Sequence, residues 1–350
     1  MATFSVSGAA VRGIATSVPQ TRFNNITDTK TLPAEEVRKI VAMAGVVERR
    51  VAGDTITSSD LCYEAATALL QDLDWSPDSV DALVMVTQTP DYLMPSSSCL
   101  VHRRLGLSDR CAAFDVGLGC SGYVYGLWLS AMMLNGGDIR RVLLLHGETP
   151  TRYVRDDDRA VSLLFGDAGS ATAIERSSDP RALPWHFALH TDGGGYKDLI
   201  IEAGGFRDRF SPNAADHYVH MNGANVFNFT IKSVPPLIDE ILSLAGRTKE
   251  DIDYFVFHQS NRFIIQHLIR ACGLAADKVP LILDRYGNCG GPSLPLTITE
   301  GVHTANGRDP SMLLLLGYGA GLSWGAALLP FSNSAVTRHV EHTNSKSKSG

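Results

Sequence analysis

Cys120 is the residue of this chain best placed for chemistry. It lies where an apolar strand (Ala112 to Val116) gives way, through Gly117-Leu118-Gly119, to an almost wholly apolar helix expected from near Ser121 to Leu134. A thiol at a helix start feels the partial positive charge of unpaired N–H groups, which favours thiolate and hence nucleophilic attack. His258 ends a second apolar strand, and Asn288 follows Gly287 in a turn-like Tyr-Gly-Asn. Taken singly, such residues are more often a packed thiol, a hydrogen-bonded core imidazole and a turn residue. Their combination is what points to a site.

An internal duplication supplies that combination. Val80 to Val86 reads like Ile252 to His258, Phe114 to Cys120 like Leu283 to Cys289, and Val142 to Leu145 like Met312 to Leu315. The common offset, about 170 residues, is far beyond a solenoid period, so the chain is a duplicated domain. The strand end that holds Val86 in one half holds His258 in the other. Ligands collect at the carboxyl ends of strands in open α/β sheets, so the two halves can bring Cys120, His258 and Asn288 to one crevice.

The elements that must position them read as layered α/β. Ser58 to Leu73 has an apolar stripe, and the strong strand candidates are continuous Val/Leu/Met/Phe runs, as expected of strands covered on both faces. We assign residues 1–175 to a first half carrying the cysteine and 176–331 to a second half carrying the histidine and asparagine. Between Pro180 and Asn222 the pattern loosens into glycine-rich loops expected to cover substrate. The polar, Ser- and Lys-rich segment 332–350 is expected to be a disordered tail.

With 350 residues, 44% hydrophobic and 19% charged, the chain can bury one large core or two medium ones. A net charge of -6 without Lys/Arg runs argues against a partner bound through its phosphates, so no nucleic acid is expected. The opening residues lack the charged start and unbroken apolar block of a signal peptide, and no stretch reaches membrane-spanning length. Six cysteines without C-x-x-C spacing fit reduced thiols in a cytoplasm.

Gly117-x-Gly119-x-x-Gly122 also matches a dinucleotide-binding fingerprint, with Glu148 near the end of the next strand, which makes an NAD-dependent oxidoreductase a rival reading. Against it, the motif follows several strand-helix units instead of opening the domain.

Five ordered segments, Ala112 to Gly122, Phe165 to Gly169, His258 to Asn261, Tyr286 to Asn288 and Gly319 to Gly325, resemble the motifs of β-ketoacyl-ACP synthase III, a thiolase-fold condensing enzyme. The resemblance runs from about Gly8 to Pro330. It implies two duplicated α/β halves in an αβαβα sandwich, a catalytic triad of Cys120, His258 and Asn288, and an oxyanion hole from the backbone N–H groups of Cys120 and Ala320. It implies acyl-CoA and acyl carrier protein (ACP) thioesters as substrates, no separate cofactor, no metal, and a homodimer in which Asp91 to Pro95 approaches the partner's pocket. Arg49, Arg159 and Asn261 fall on the substrate side, and Met94 matches the floor of the acyl pocket. A flexible methionine there is expected to admit chains longer than acetyl. The tryptophan that stacks on the adenine of CoA in typical members is missing from Thr31 to Ala44. Arg262 and Arg270 are expected to face an acidic ACP. The same acyl-cysteine could instead serve an amine, hydroxyl or other non-malonyl acceptor.

Overall fold

The computed structural model describes residues 2–302 and 309–342. The chain opens with β1 (Ala2–Val6) and β2 (Ala9–Pro19), passes α1 (Ala34–Ala44) and α2 (Ser58–Asp72), and then alternates through β3 (Ala82–Val86), α3 (Ser97–Leu105), β4 (Ala112–Val116), α4 (Gly122–Leu134), β5 (Arg141–Glu148) and β6 (Ala168–Arg176). A similar order follows in β7 (Trp185–Thr191), α5 (Gly223–Ala245), β8 (Tyr254–Phe257), α6 (Arg262–Cys272), α7 (Ser293–Gly301), β9 (Ser311–Gly319), β10 (Ser323–Phe331) and β11 (Val336–His342).

Two sheets result, in the orders β11-β2-β6-β5-β3-β4 and β1-β7-β10-β9-β8. The duplication is visible in their registers. Val84 pairs with Leu144 in the parallel β3-β5 ladder, and Val256 pairs with Leu315 in the parallel β8-β9 ladder. Helices α2 and α3 cover the outer face of the first sheet, α4 and α7 lie between the sheets, and α5 and α6 cover the second. These layers are the αβαβα sandwich of the thiolase fold. Sandwiched α4 has no polar face because both sheets bury it: Tyr123, Val124, Leu127, Ala131 and Leu134 join a core shared with Val84, Leu144, Val256 and Leu315.

Three features depart from the sequence reading. First, β1 belongs to the second sheet, pairing antiparallel with β7, so the first half is not self-contained. Second, Val336–His342, expected in a disordered tail, is strand β11, parallel to β2. Its polar side chains find partners: Glu341 ion-pairs with Arg50 at 2.7 Å, His342 Nδ1 hydrogen-bonds with Glu64 at 3.0 Å, and His339 meets Thr16 at 3.0 Å. The rest of that tail, 343–350, lies outside the described residues. Third, the Leu283–Tyr286 counterpart of β4 is a short helix. Its backbone serves the other half instead of β8: Val47 N–H donates to Asp284 O, and Asn288 bridges to Phe165.

Candidate active site

The strand ends converge as the duplication requires. Cys120 follows β4 and lies two residues before Gly122 opens α4; His258 follows β8; and the Gly319-Ala320-Gly321 turn joins β9 to β10. Glycines make this approach possible. A Cβ on Gly319 would fall 2.6 Å from the Cys120 Cβ and 2.8 Å from its Sγ, and one on Gly317 would fall 2.9 Å from the Ser121 Cα. Asn288 arrives through Gly287, whose φ of +70° and close approach to Leu164 O exclude a side chain. The crossing is then stitched by Asn288 N–H to Leu164 O at 2.9 Å and Gly166 N–H to Asn288 O at 3.1 Å.

Cys120 faces a cavity of about 330 Å³ walled by Gln88, Glu148, Tyr153, Phe165, Leu199 and Val219. Burial pushes its thiol up to about 12, and the neighbouring Glu148 adds to the rise. The N–H groups of Ala320 and of Cys120 itself both reach the sulfur and oppose that shift without overcoming it. The resting residue is therefore a thiol, against the thiolate expected of a helix start, because desolvation and a nearby carboxylate outweigh the helix end.

Asn288 and His258 are not on the wall of this cavity; both are joined to it through Gly290, which lines it and interacts with each of them. Gly290 N–H donates to Asn288 Oδ1 at 2.9 Å, which turns the amide so that Nδ2 points the other way, 3.4 Å from Ser260 O. His258 is buried, with Nδ1 2.9 Å from Ser293 Oγ and its ring edge-on to Tyr318. Burial lowers its pKa to about 4, so it is a neutral imidazole near pH 7. Asp167 is a structural knot: its carboxylate accepts from Ala52 N–H at 2.7 Å and from the Thr151 hydroxyl at 2.6 Å.

Arg159 and Asn261 meet at a second, largely apolar cavity of about 300 Å³, whose wall also includes Met43, Leu164, Met221 and Phe227. The two cavities are neighbours, since Leu164 and Met221 line one while Phe165 and Val219 line the other. Arg159 is held by Glu36 at 2.9 Å, and Asn261 caps α6 by accepting from Ile264 N–H at 2.8 Å.

Three expected residues lie elsewhere. Arg49 is buried under the Phe23 ring and donates to Asn25 Oδ1 at 2.8 Å and Phe165 O at 2.9 Å. It braces the Phe165 segment and is not on either cavity wall. Met94 is 85% exposed and lines neither cavity, because the Asp91–Pro95 segment projects outward with Tyr92 and Leu93 also exposed. Arg262 folds back to donate to Ala42 O, whereas Arg270 is exposed in the last turn of α6.

Glu148, the acidic residue that accompanied the dinucleotide fingerprint, is tied to the end of β3: it accepts from Gln88 N–H at 2.8 Å and the Thr89 hydroxyl at 2.9 Å. Two of the three fingerprint glycines serve packing. Gly122 makes room for Val86, and Gly119 for Gln88. Sequence reasoning missed Gln88 and Glu148 as cavity walls, although both follow or end sheet strands at their carboxyl ends, where the general rule directs attention.

Fold and site together define a thiolase-fold condensing enzyme with a cysteine nucleophile's place at the strand-to-helix turn. Residues 114–193 match the family model of 3-oxoacyl-[acyl-carrier-protein] synthase III, and residues 242–331 match the model of its C-terminal part. The β-ketoacyl-ACP synthase III of Alkalilimnicola ehrlichii is 35% identical over 82% of this chain and 88% of its own length. A crystal structure of 3-oxoacyl-ACP synthase from Burkholderia xenovorans superposes with a TM-score of 0.92 at 37% identity, covering 97% of this chain and 99% of that one. A priming β-ketosynthase from a polyketide pathway follows at 26% identity and a TM-score of 0.84, over 93% and 97% of the two chains. This chain belongs to the β-ketoacyl-ACP synthase III family, whose members are acyltransferases, and the dinucleotide-dependent reading is set aside.

Proposed function

We propose that this enzyme carries out a decarboxylating Claisen condensation of an acyl-CoA with malonyl-ACP through an acyl-Cys120 intermediate. The Cys120 sulfur, losing its proton, attacks the acyl thioester carbonyl, and the oxyanion is held by the N–H groups of Cys120 and Ala320. Collapse expels the CoA sulfur, which takes up the proton that Cys120 lost and leaves as the free thiol, and the acyl group stays on the Cys120 sulfur. The thioester oxygen of malonyl-ACP then accepts hydrogen bonds from His258 and from Asn288 Nδ2. Loss of CO2 leaves an enolate whose charge these donors stabilise, each worth roughly 3 to 4 kcal/mol by analogy with other oxyanion donors. The enolate carbon attacks the acyl carbonyl, the Cys120 sulfur leaves, and a β-ketoacyl-ACP results.

One observation carries this reading: Asn288 has its amide oxygen occupied by Gly290 N–H, which commits its NH2 group to donation. His258, lowered to about 4 by burial, is a neutral imidazole at working pH with one ring N–H to donate. No cofactor or metal enters any of these steps. The second cavity, with Arg159 and Asn261 on its wall, suits the pantetheine arm of the thioesters. Exposed Arg270 supports an ACP approach over α6. The unpaired edge of β4 and the exposed Tyr92, Leu93 and Met94 support a homodimer in which Met94 reaches the partner's pocket. Six free thiols support a reducing, cytoplasmic setting, and among the described residues no helix is long and apolar enough to cross a membrane.

A second reading, transfer of the acyl group to an amine, hydroxyl or other non-malonyl nucleophile, is favoured by Glu148, a carboxylate on the cavity wall able to take a proton from such an acceptor. Mass spectrometry of acyl-Cys120 across a panel of acyl-CoAs, followed by radiolabelled CO2 release from malonyl-ACP, separates the two. Acylation with CO2 release is expected; acylation that never decarboxylates malonyl-ACP gives the field to the acyltransferase.

A further inference from the structure

We infer that Ser293 is a positioning residue that fixes the tautomer of His258, keeping the proton on Nε2 so that the imidazole presents a donor to the substrate side. The inference rests on the condensing reading for its consequence, though not for its geometry. Ser293 is buried at the first position of α7, held there by its own N–H to Gly290 O at 3.2 Å and by the Thr297 hydroxyl on its carbonyl at 2.7 Å. Among the described residues its hydroxyl oxygen has two polar neighbours: the Gln259 N–H at 3.2 Å and His258 Nδ1 at 2.9 Å.

A backbone N–H can only donate, so Ser293 Oγ accepts from Gln259. The hydroxyl proton then has one acceptor within reach, His258 Nδ1. Were Nδ1 protonated, Ser293 would receive two donors and its own proton would be stranded in a buried site, which folded proteins avoid. The arrangement therefore selects the Nε2–H form. The ring also interacts with the Gly290 backbone, and Gly290 lines the Cys120 cavity, so His258 stands beside the space where a thioester oxygen would bind. A ring oriented through its far nitrogen is the logic of metal-site and triad histidines, here supplied by a serine.

Histidine nitrogen NMR on ¹⁵N-histidine-labelled full-length protein tests this directly, with the His258 signals assigned by their absence from His258→Gln. Wild type should show Nδ1 without a proton and Nε2 with one; a protonated Nδ1 overturns the inference. In Ser293→Ala the two forms should mix, CO2 release from malonyl-ACP should fall about 10- to 100-fold, and Cys120 acylation should stay within about threefold of wild type. Ser293→Thr, which keeps the hydroxyl, should restore both the spectrum and most of the rate. Wild-type decarboxylation by Ser293→Ala would also overturn the role. A wild-type enzyme that acylates but releases no CO2 defeats the condensing reading instead, and the nitrogen spectrum still decides the tautomer.

Discussion

Gly319 at the end of β9 and Cys120 at the end of the β4 loop touch so closely that a Cβ on the glycine would lie 2.8 Å from the cysteine sulfur. This contact is where the two halves of the duplication become one site, since the glycine belongs to one and the thiol to the other. Real Cβ atoms do not tolerate that spacing, so Gly319→Ala must push Cys120 away from the Ala320 N–H. We expect acyl-Cys120 formation to fall at least ~10-fold, because displacing a nucleophile from its oxyanion donors by a fraction of an ångström removes near-attack geometry. Rapid-quench acylation followed by intact mass measurement checks it, and an unchanged rate would mean that the contact relaxes without cost.

Asn288→Ala should split the two half-reactions. Acyl-Cys120 formation should remain substantial, while CO2 release from malonyl-ACP slows at least ~100-fold, since one enolate donor has gone. Equal losses in both steps would instead indicate that the Leu164-Asn288 stitching has come apart and that the residue is structural.

Much of this site was legible because its residue types are unusual where they stand. A cysteine between a strand and an apolar helix, and a histidine ending a strand that reads like Val80 to Val86, stand out against the packing residues around them. What escaped was written in partners rather than in pattern. Strand β11 carries Thr337, Arg338, His339 and Glu341, without apolar alternation. It is a strand because Arg50, Glu64 and Thr16, hundreds of residues away, satisfy it. Arg49 is expected on the substrate side, yet its guanidinium is spent on Asn25 and Phe165. Its pKa is lowered to about 10 by burial. Met94, matched to the floor of an acyl pocket, is 85% exposed and lines neither cavity, a placement that its residue type and spacing do not reveal.

Strand β11 makes a stability prediction. Truncation before Val336 strips a parallel ladder from β2 and removes the Arg50-Glu341 pair, in which the arginine is buried and left without its carboxylate. The freed β2 edge also becomes available to other chains. Thermal unfolding should drop by at least about 4 °C, roughly 2 kcal/mol for a chain of this size, with earlier aggregation. A melting curve superimposable on the full chain's would show that the strand adds nothing.

Cys120 makes the pH prediction. Its thiol is pushed up to about 12, first by burial and then by Glu148, so between pH 6 and 9.5 only a small and steadily growing fraction is thiolate. Alkylation of Cys120 by iodoacetamide should therefore rise about tenfold per pH unit across that range with no plateau. Glu148→Gln removes the carboxylate while keeping a side chain of the same shape, able still to accept from Gln88 or Thr89. With that charge gone the thiol pKa should fall, and alkylation at fixed pH should speed up roughly 3- to 10-fold. Peptide mapping follows the label on Cys120 in both proteins. A plateau below pH 9 in wild type would mean that the N–H groups of Ala320 and Cys120 hold a thiolate after all, and an unchanged rate in Glu148→Gln would mean that Glu148 does not act on the sulfur.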